Sequence, residues 1–380
     1  MREVVIVGAD MTPFGKHLDR TLPGLGGDAV RGAIGDASAA RADIQAVYSG
    51  NVAAGSLTGQ RIVRDLGLGG IPVVNVENAC SSSASALHEA VVAVGAGVHD
   101  TVLVIGAEQL TALGRGPLPL NRDDHEAANG QIMPAVYAMR ARRYLYEHDL
   151  TPADLAAVAV KNRSHGALNP YAQIRTTTTV EEVLASRPVA TPLTLFQCCP
   201  NGDGAAALVV TATPERFSGP PVRIRASVLH SGRFETGFRD MTTPQITVES
   251  ARDAYEQAGI GPEDLSLVEL HDAFTIAELL YYEALGLAER GKAAALLHSG
   301  ETTFGGHTVV NPSGGLLAKG HPIGATGAAQ VVEAVWQLRG RAGDRQVGGA
   351  RIALTHVTGG GMAGVDHGAC AVHILERNAA

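Results

Sequence analysis

Residues 71–97 of the chain, IPVVNVENACSSSASALHEAVVAVGAG, join a short apolar run to a long helical pattern through one cysteine. A β-branched run of this length is typical of a buried strand, and the apolar spacing after it is typical of an amphipathic helix. The same order returns in HTVVNPSGG at 307–315 and GATGAAQVVEAVWQLRG at 324–340. Each helical pattern leads to another apolar run, TVLVIGAEQ at 101–109 and RIALTHVTG at 351–359. The agreement in order and type indicates an internal repeat.

The repeat divides the chain into two α/β halves with largely buried sheets. We place the first half at residues 1–215 and the second at 216–380. Residues 111–192 have a different pattern, with two further helical stretches and a polar stretch, and we interpret them as an inserted loop domain. Such insertions often carry substrate contacts. The sequence leaves open whether three side chains of this segment do so: Tyr137, His165 and Asn169.

The composition excludes several classes of protein. The 380 residues are 45% hydrophobic and 18% charged with a net charge of −8, so we expect a globular protein without a nucleic-acid partner. No apolar run approaches the ~18 residues of a membrane span, the start resembles no signal peptide, and the end is not an SKL-type address. The cysteines form no CxxC pair and HExxH is absent. The glycine-rich segments GATGAAQ and GGGMAG do not follow a first strand with an acidic partner, as a dinucleotide-binding GxGxxG motif does. We therefore expect no metal site and no bound nicotinamide cofactor. Together these features predict a cytoplasmic protein with reduced thiols.

Two residues at strand–helix junctions are candidates for catalysis. Cys80 stands between the apolar run and the helix that begins near Ser81, where we expect the helix dipole and free N–H groups to lower the pKa of the thiol. A buried structural cysteine is the alternative interpretation. His321 lies in a glycine-rich loop, with Pro322 after it and a helix next, and could accept the thiol proton. The alternative is a histidine that merely caps a turn.

Two further histidines end predicted strands of the second half. His271, in VELHDAF, could donate a hydrogen bond to a developing oxyanion, and Asp272 could orient it or cap a helix. His356 precedes a loop with three consecutive glycines, 359–361, whose N–H groups could bind an acyl oxyanion together with that of Cys80. The alternative for His271 is a core histidine whose ring is hydrogen-bonded within the protein. The alternative for the glycine loop is a flexible turn.

At these residues the chain resembles the thiolase superfamily over essentially its whole length. The resemblance rests on NVENACSSSASALHEA at 75–90, CCPNGDGAAALV at 198–209, HDAF at 271–274, NPSGGLLAKGHPIGATG at 311–327 and the glycine-rich last loop. HDAF, where biosynthetic thiolases carry NEAF, is similar to the sterol-carrier-protein-type and archaeal-type acetyl-CoA acetyltransferases. The resemblance implies a five-layered αβαβα thiolase fold, a homodimer and coenzyme A thioesters as substrates, with no permanently bound cofactor.

The resemblance also implies residue roles. Cys80 would be the nucleophile that becomes acylated, and His321 would activate it. His271 would help to form the oxyanion hole for the attacking enolate, and the N–H groups of Cys80 and Gly360 would hold the acyl oxyanion. The residues that contact coenzyme A are not assigned.

The chain departs from the family pattern in its second cysteine. Common thiolases carry this acid/base in the last loop, which reads HVTGGG here, and the sterol-carrier-protein type carries it at the position of Ala273. Cys370 lies in the final strand and is interpreted as core. Our hypothesis is that His356 takes the acid/base role, although Val357 is the alternative match, in which case no base is inherited.

Three functions are compatible with these features. The first is an acyltransferase of lipid metabolism that makes or cleaves 3-ketoacyl-CoA by Claisen condensation or thiolysis, through an acyl-cysteine intermediate. The second sends the acyl group from Cys80 to a non-CoA acceptor in secondary metabolism, which the missing second cysteine supports. The third is a non-catalytic or partner-dependent subunit that pairs with a small OB-fold protein, against which the presence of Cys80 argues.

Overall fold

A computed structural model describes residues 2–114, 125–233, 239–360 and 366–378 of the chain. Over these residues the strands are β1 (Val5–Met11), β2 (Ala46–Gly50), β3 (Val73–Val76), β4 (Thr101–Gln109), β5 (Pro188–Ala190), β6 (Leu193–Thr194), β7 (Asp203–Thr211), β8 (Val222–Ser231), β9 (Leu267–Glu269), β10 (Val309–Val310), β11 (Ile352–Gly359) and β12 (Ala369–Arg377). The helices are α1 (Leu22–Ala37), α2 (Thr58–Val63), α3 (Ser82–Gly95), α4 (His125–Ala128), α5 (Met133–Glu147), α6 (Pro152–Ala167), α7 (Val180–Ala185), α8 (Gln245–Ala258), α9 (Thr275–Ala284), α10 (Ala293–Ser299), α11 (Gly315–Lys319) and α12 (Thr326–Leu338).

The strand order carries the predicted repeat. Ten strands form one sheet in the order β10-β9-β11-β12-β8-β1-β7-β4-β2-β3, so each half contributes five strands in matching order from the outer edge inward. In each half the two outer pairs are parallel and the two inner pairs are antiparallel. The halves meet where β1 pairs with β8 over only two residue pairs, Val5–Arg223 and Ile6–Val222. The internal repeat is therefore a repeat of topology as well as of sequence.

Each face of the sheet packs against its own layer of helices, because successive residues of a strand face opposite sides of the sheet. Helix α1 packs on the outer face of the first half, against Val7 and Leu103. Helices α3 and α12 fill the space between the halves and pack against the inner face, which includes Ile6. Helices α8 and α9 cover the outer face of the second half, which includes Leu354. This arrangement is the predicted five-layered αβαβα fold.

The described part of the predicted loop domain consists of helices α4–α7 and the β5–β6 hairpin. Helix α6 packs against α9 and α11, and α5 packs against α9, so the insertion lies over the loops that follow β9 and β10. The boundary predicted at residues 215 and 216 falls between the end of β7 at Thr211 and the start of β8 at Val222. In the part of the chain that is described, no helix is both long enough and apolar enough to cross a membrane.

Candidate active site

The chain makes a tight turn between β3 and α3, and Cys80 follows this turn. Ala79 adopts φ = 49°, in the left-handed region that a residue with a side chain rarely occupies. The turn is held because the Ala79 N–H donates to the Glu77 carboxylate at 2.8 Å and the Ala79 carbonyl accepts from the Ser82 N–H at 3.0 Å. Such local strain is often found at functional sites. It places Cys80 immediately before the first turn of α3.

Two histidines from the second half meet Cys80. The sulfur of Cys80 and one ring nitrogen each of His271 and His321 lie within 4.8 Å of one another. The two imidazole rings are 5.1 Å apart between their centroids. Thiol and imidazole groups are also zinc ligands, so the prediction that the chain binds no metal here stays a prediction. The structure thus brings together three of the four side chains that were predicted to be catalytic.

The hydrogen bonds of His271 define its tautomer. The Thr358 backbone N–H donates to Nδ1 of His271 at 3.1 Å, and the Thr358 hydroxyl oxygen is 2.8 Å from the same nitrogen. Because Nδ1 accepts a hydrogen bond, a neutral ring carries its proton on Nε2. Burial, together with the nearby His321, lowers the pKa of His271 well below its usual value. Nε2 is buried and has no partner among the described residues, so it is a free donor at the site.

His321 has the opposite tautomer. Nδ1 of His321 is 2.7 Å from the Thr326 hydroxyl oxygen, and this hydroxyl donates to the Pro322 carbonyl at 3.1 Å. Since the hydroxyl proton is used in that bond, Nδ1 of His321 must be the donor to Thr326. Nε2 of His321 then carries a lone pair. Burial lowers the pKa of His321 to about 3, so the ring is a neutral base at pH 7.

The thiol of Cys80 is protonated at neutral pH. Burial raises its pKa from 9.0 to about 12, although the backbone N–H groups of Gly360 and of Cys80 itself lie beside the sulfur and lower it. The expectation that the helix N-terminus would give a lowered pKa is therefore wrong, because desolvation outweighs the N–H groups. The free site holds a neutral thiol beside a neutral imidazole.

The last loop approaches the nucleophile through glycine. A Cβ atom on Gly359 would lie 2.0 Å from the carbonyl oxygen of Asn78, so this position accepts no side chain. Its close approach brings the Gly360 N–H to the sulfur of Cys80. Two N–H groups thus lie beside the sulfur of Cys80, and their role in holding an acyl oxyanion stays a prediction. Gly361, the third glycine of the predicted loop, lies outside the described residues.

His356 does not join this group. Val357 packs in a small cluster with Cys80 and Ala84, whereas Nε2 of His356 is 3.0 Å from the Thr247 hydroxyl oxygen of α8. Neighbouring residues of β11 face opposite sides of the sheet, so His356 faces away from Cys80. Val357, the alternative match, lies on the Cys80 side, and the acid/base role of His356 stays a prediction. Cys370 is fully buried, as predicted for a core residue.

Asp272 supports the site instead of orienting His271. Its carboxylate accepts from the Leu316 N–H at 2.7 Å and the Leu317 N–H at 3.3 Å, so it caps the start of α11. It also accepts from the side-chain amide of Asn162 at 2.8 Å. Of the two roles considered for Asp272, the structure therefore shows the cap. The cap fixes the loop that leads to His321.

The loop domain holds the His321 loop from the other side. Nδ1 of His165 is 3.0 Å from the Asn311 carbonyl oxygen, and the Asn169 amide donates to the Ser313 carbonyl at 2.8 Å. Both side chains are buried. His165 and Asn169, whose roles the sequence left open, thus bond to the chain that leads into α11.

Residues 198–201, in the CCPNGDG motif, lie between the two histidine loops. The Cys199 N–H donates to the Ala273 carbonyl at 2.9 Å, and the His321 N–H donates to the Pro200 carbonyl at 3.2 Å. Burial raises the pKa of Cys199 well above its usual value, with smaller contributions from Cys198 and Cys80. The sequence motif signalled the family, but not this bridging position.

Sequence reasoning missed a buried polar cluster behind His271. The Tyr137 hydroxyl is 2.8 Å from Nε2 of His367, and the Tyr281 hydroxyl is 3.3 Å from the same nitrogen. The Tyr281 hydroxyl is also 3.1 Å from the Thr358 hydroxyl oxygen, which contacts His271. The sequence leaves open whether Tyr137 contacts substrate, and it assigns no role to His367. The signal available was a histidine three residues before Cys370 in the glycine-rich last segment.

Comparison with known proteins identifies this combination of fold and site. The family description "Thiolase, N-terminal domain" matches residues 4–213, and "Thiolase C-terminal domain-like" matches residues 229–376. Five layers, with a cysteine and a histidine just before the two middle helices and a second histidine after β9, define a thiolase-type acyltransferase. The chain belongs to the thiolase family, as its sequence motifs predicted, and acts in the condensation or thiolysis of coenzyme A thioesters.

Individual relatives agree over nearly the whole chain. It is 45% identical to the benzoylsuccinyl-CoA thiolase subunit BbsB of Thauera aromatica over 368 residues, which are 95% of each chain. It is 41% identical to the acetyl-CoA acetyltransferase of Methanothermobacter thermautotrophicus, covering 99% of this chain and 100% of the relative. The solved structure of the Ltp2-ChsH2(DUF35) aldolase is similar with a TM-score of 0.85 and 27% identity over 99% of each chain.

Proposed function

We propose that Cys80 carries the acyl group during formation or thiolysis of a 3-ketoacyl-CoA. The observation that supports this most is the meeting of the Cys80 sulfur with His271 and His321 within 4.8 Å. In this proposal His321 accepts the thiol proton on Nε2. The N–H groups of Cys80 and Gly360 bind the acyl oxyanion, and Nε2–H of His271 binds the oxygen of the enolate.

In the thiolysis direction, the Cys80 sulfur attacks the 3-keto carbon while its proton moves to His321. The bond between that carbon and the α-carbon then breaks, and its electron pair leaves as the enolate of the shorter thioester. The α-carbon takes up one proton, and the shorter acyl-CoA leaves. The thiol of coenzyme A then attacks the acyl-cysteine, and its proton restores the Cys80 thiol. Splitting the reaction in this way replaces one difficult displacement with two easier ones.

The α-carbon proton needs a donor. The hypothesis that His356 supplies it stays a prediction, and the position of His356 opposite Val357 argues for a donor on the Cys80 side. His321 is such a group, because the proton that it takes from Cys80 is the proton that the α-carbon requires. We therefore propose that His321 acts twice. It takes the Cys80 proton during attack on the 3-keto carbon, and it then gives that proton to the α-carbon.

Intact-protein mass spectrometry after incubation with acetyl-CoA tests the acyl-cysteine. We expect a gain of one acetyl group, which the Cys80→Ala variant does not show. The Cys198→Ala variant is a matched control. In the wild-type protein the Cys198 thiol donates a hydrogen bond to the Thr194 carbonyl at 3.4 Å and is not in the predicted site. Absence of an adduct with acetyl-CoA and with longer acyl-CoAs, in the presence of any partner subunit, would contradict the proposal.

A second candidate function is transfer of the acyl group to a non-CoA acceptor. It is favoured by the presence of Val357, and not a second thiol, on the Cys80 side of β11. Incubation of the protein with a 3-ketoacyl-CoA and free coenzyme A separates the two functions. Cleavage to two shorter acyl-CoA thioesters supports thiolysis, whereas an acetyl-Cys80 adduct without any cleavage of 3-ketoacyl-CoA supports another acceptor.

We also propose a homodimer and a small OB-fold partner. The partner is supported by the similarity to the Ltp2-ChsH2(DUF35) aldolase and to a relative that is named as a subunit. A cytoplasmic enzyme of lipid metabolism remains our expectation from the cysteine pattern and the substrate class. Light scattering after size exclusion, with and without co-expressed neighbours of the gene, tests the assembly. If the chain binds acyl-CoA only when a partner is present, and Cys80 still remains unacylated, the non-catalytic alternative would be favoured.

A further inference from the structure

Helix α5 carries a buried guanidinium group that has no counter-ion among the described residues. Arg140 is 1% exposed, and among the described residues its Nε and both terminal nitrogens have no hydrogen-bond partner. The two other arginines nearby on this helix, Arg142 and Arg143, are exposed, and Arg143 pairs with Glu147. An isolated buried charge is costly unless it is paired and hydrogen-bonded. Arg140 therefore offers a buried positive charge to an anionic ligand.

The groups around Arg140 are neutral at pH 7. Its guanidinium carbon is 5.6 Å from the centre of the Tyr137 ring. Burial raises the pKa of Tyr137 and of Tyr281, so both phenols keep their protons. Burial, followed by the charge of Arg140, lowers the pKa of His367 to about 4. The cluster defined by these three side chains thus offers Arg140 a π face and no negative charge.

The carboxylate that borders this cluster is already engaged. Asp366 accepts from the Ile246 N–H at 3.1 Å and from the His367 N–H at 2.9 Å. It contributes to the electrostatics of His367, but it forms no ion pair with Arg140. A ligand that brings its own carboxylate could pair with two of the three free nitrogens of Arg140, in the two-point geometry that guanidinium groups favour.

The position of Arg140 identifies which part of a substrate would bring this anion. Through Tyr281 and Thr358, the cluster adjoins His271, which is within 4.8 Å of the Cys80 sulfur. In a coenzyme A thioester the phosphates lie at the far end of the pantetheine arm, away from the reacting carbonyl. The acyl chain starts at that carbonyl. Of the two ends of the substrate, the acyl chain is therefore the one that starts next to the cluster.

We propose that Arg140 binds a carboxylate on the acyl chain, so that the preferred substrates are coenzyme A thioesters of dicarboxylic acids. This inference rests on the proposed function for its orientation of the substrate. Arg140 then determines specificity: a chain that ends in a methyl group leaves the guanidinium unpaired, and a chain that ends in a carboxylate pairs with it. The discrimination comes from the ion pair that only the carboxylate chain forms, because the buried charge is unpaired in the free protein as well.

Equilibrium binding to the unreactive Cys80→Ala protein tests the inference. Isothermal titration compares succinyl-CoA with butyryl-CoA and glutaryl-CoA with valeryl-CoA, which are pairs of equal chain length. We expect the carboxylate member of at least one pair to bind about 10- to 100-fold more tightly, as a charge-assisted pair of about 1.5–3 kcal/mol requires. A second substitution, Arg140→Met, should reduce this ratio to about one. The control Arg142→Met should leave it unchanged, because Arg142 is exposed on the same helix.

Equal binding within both pairs would overturn the inference, and so would an Arg140→Met protein that keeps the preference. If Arg140→Met does not fold, succinamoyl-CoA decides the matter with Arg140 intact. This amide matches succinyl-CoA in shape and lacks its charge, so equal binding of the two would refute a role for the carboxylate. Acylation of Cys80 in the wild-type protein is measured separately. Failure of every thioester to acylate Cys80 refutes the proposed function, whereas the binding ratios still decide the inference.

Discussion

The protonation state of the Cys80–His321 pair predicts an unusual pH dependence of thiol alkylation. A pKa of about 12 lies three units above the ordinary 9.0, which corresponds to about 4 kcal/mol against the thiolate. At pH 7 the thiolate fraction is about 10⁻⁵, compared with about 10⁻² for an ordinary thiol. The neutral His321, with a pKa of about 3, does not form an ion pair that would stabilise the thiolate. Alkylation of Cys80 should therefore be about a thousandfold slower than that of a free thiol at this pH.

The assay is the rate of iodoacetamide alkylation of Cys80, followed by peptide mass spectrometry between pH 6 and pH 10. Because the thiolate is the reactive form, the rate should rise about tenfold for each pH unit and reach no plateau in this range. The Cys80→Ser protein gives the background from Cys198, Cys199 and Cys370. A plateau near pH 6–7 would refute the reasoning, because it would show a pre-formed thiolate–imidazolium pair.

His321 should influence acylation much more than alkylation. Iodoacetamide requires only the thiolate, whereas attack on acetyl-CoA at pH 7 requires a base that removes the proton during the attack. The His321→Ala protein should keep the alkylation profile within about one pH unit, and its acylation by acetyl-CoA should fall about 10²- to 10⁴-fold. The Thr326→Val variant is the matched control, because it removes only the partner of Nδ1 and should have a smaller effect. Equal loss in both assays would contradict the assignment of His321 as base.

Three further predictions concern neighbouring groups. The His271→Ala protein should still form acyl-Cys80, but its rate of 3-ketoacyl-CoA thiolysis should fall about 10²- to 10³-fold. Single-turnover and steady-state rates together measure the two effects. A loss confined to acylation would contradict this role. The Lys161→Met protein should lose about 3–5 kcal/mol of unfolding free energy in urea. The reason is that the Lys161 ammonium is 2.6 Å from the buried Glu278 carboxylate, which the substitution leaves without its partner. A loss below ~1 kcal/mol would show that the Glu278 carboxylate is not left as an uncompensated charge. The His356→Gln protein should be less stable to heat but keep most of its kcat for thiolysis, because His356 bonds to Thr247 on the far side of β11; a large loss of kcat with normal stability would restore its predicted acid/base role.

The sequence was sufficient for the fold and for the placement of Cys80 and His321. The reason is that both residues stand at strand–helix junctions that recur in the two halves, and the repeat is visible in local patterns of apolar residues. The strand order was not predicted, and the structure shows that each half repeats one set of pairings. Motifs of this kind depend on neighbours in the chain, which the sequence displays directly.

Properties that depend on long-range packing could not be predicted. The pKa of Cys80 is set by burial beneath the last loop, which is contributed by a segment about 280 residues later. The side on which His356 lies depends on the register of β11, and a shift of one residue exchanges His356 for Val357. Arg140 has the sequence context of a solvated helix face, with two other arginines beside it. Only the packing of α5 against α9 shows that it is buried.

The repeat also explains how the nucleophile and its base come to face each other. Cys80 stands just before α3 in the first half, and His321 stands just before α12 in the second. The two helices form the middle layer, and their first turns touch: a Cβ atom on Gly327 would lie 2.7 Å from that of Ala84, and the Ala328 N–H donates to the Ser83 hydroxyl at 2.9 Å. Matching helices of the two halves therefore begin side by side, and the residues just before them converge at one point. With a thiol from one half and an imidazole from the other, that point becomes a site that neither half contains alone.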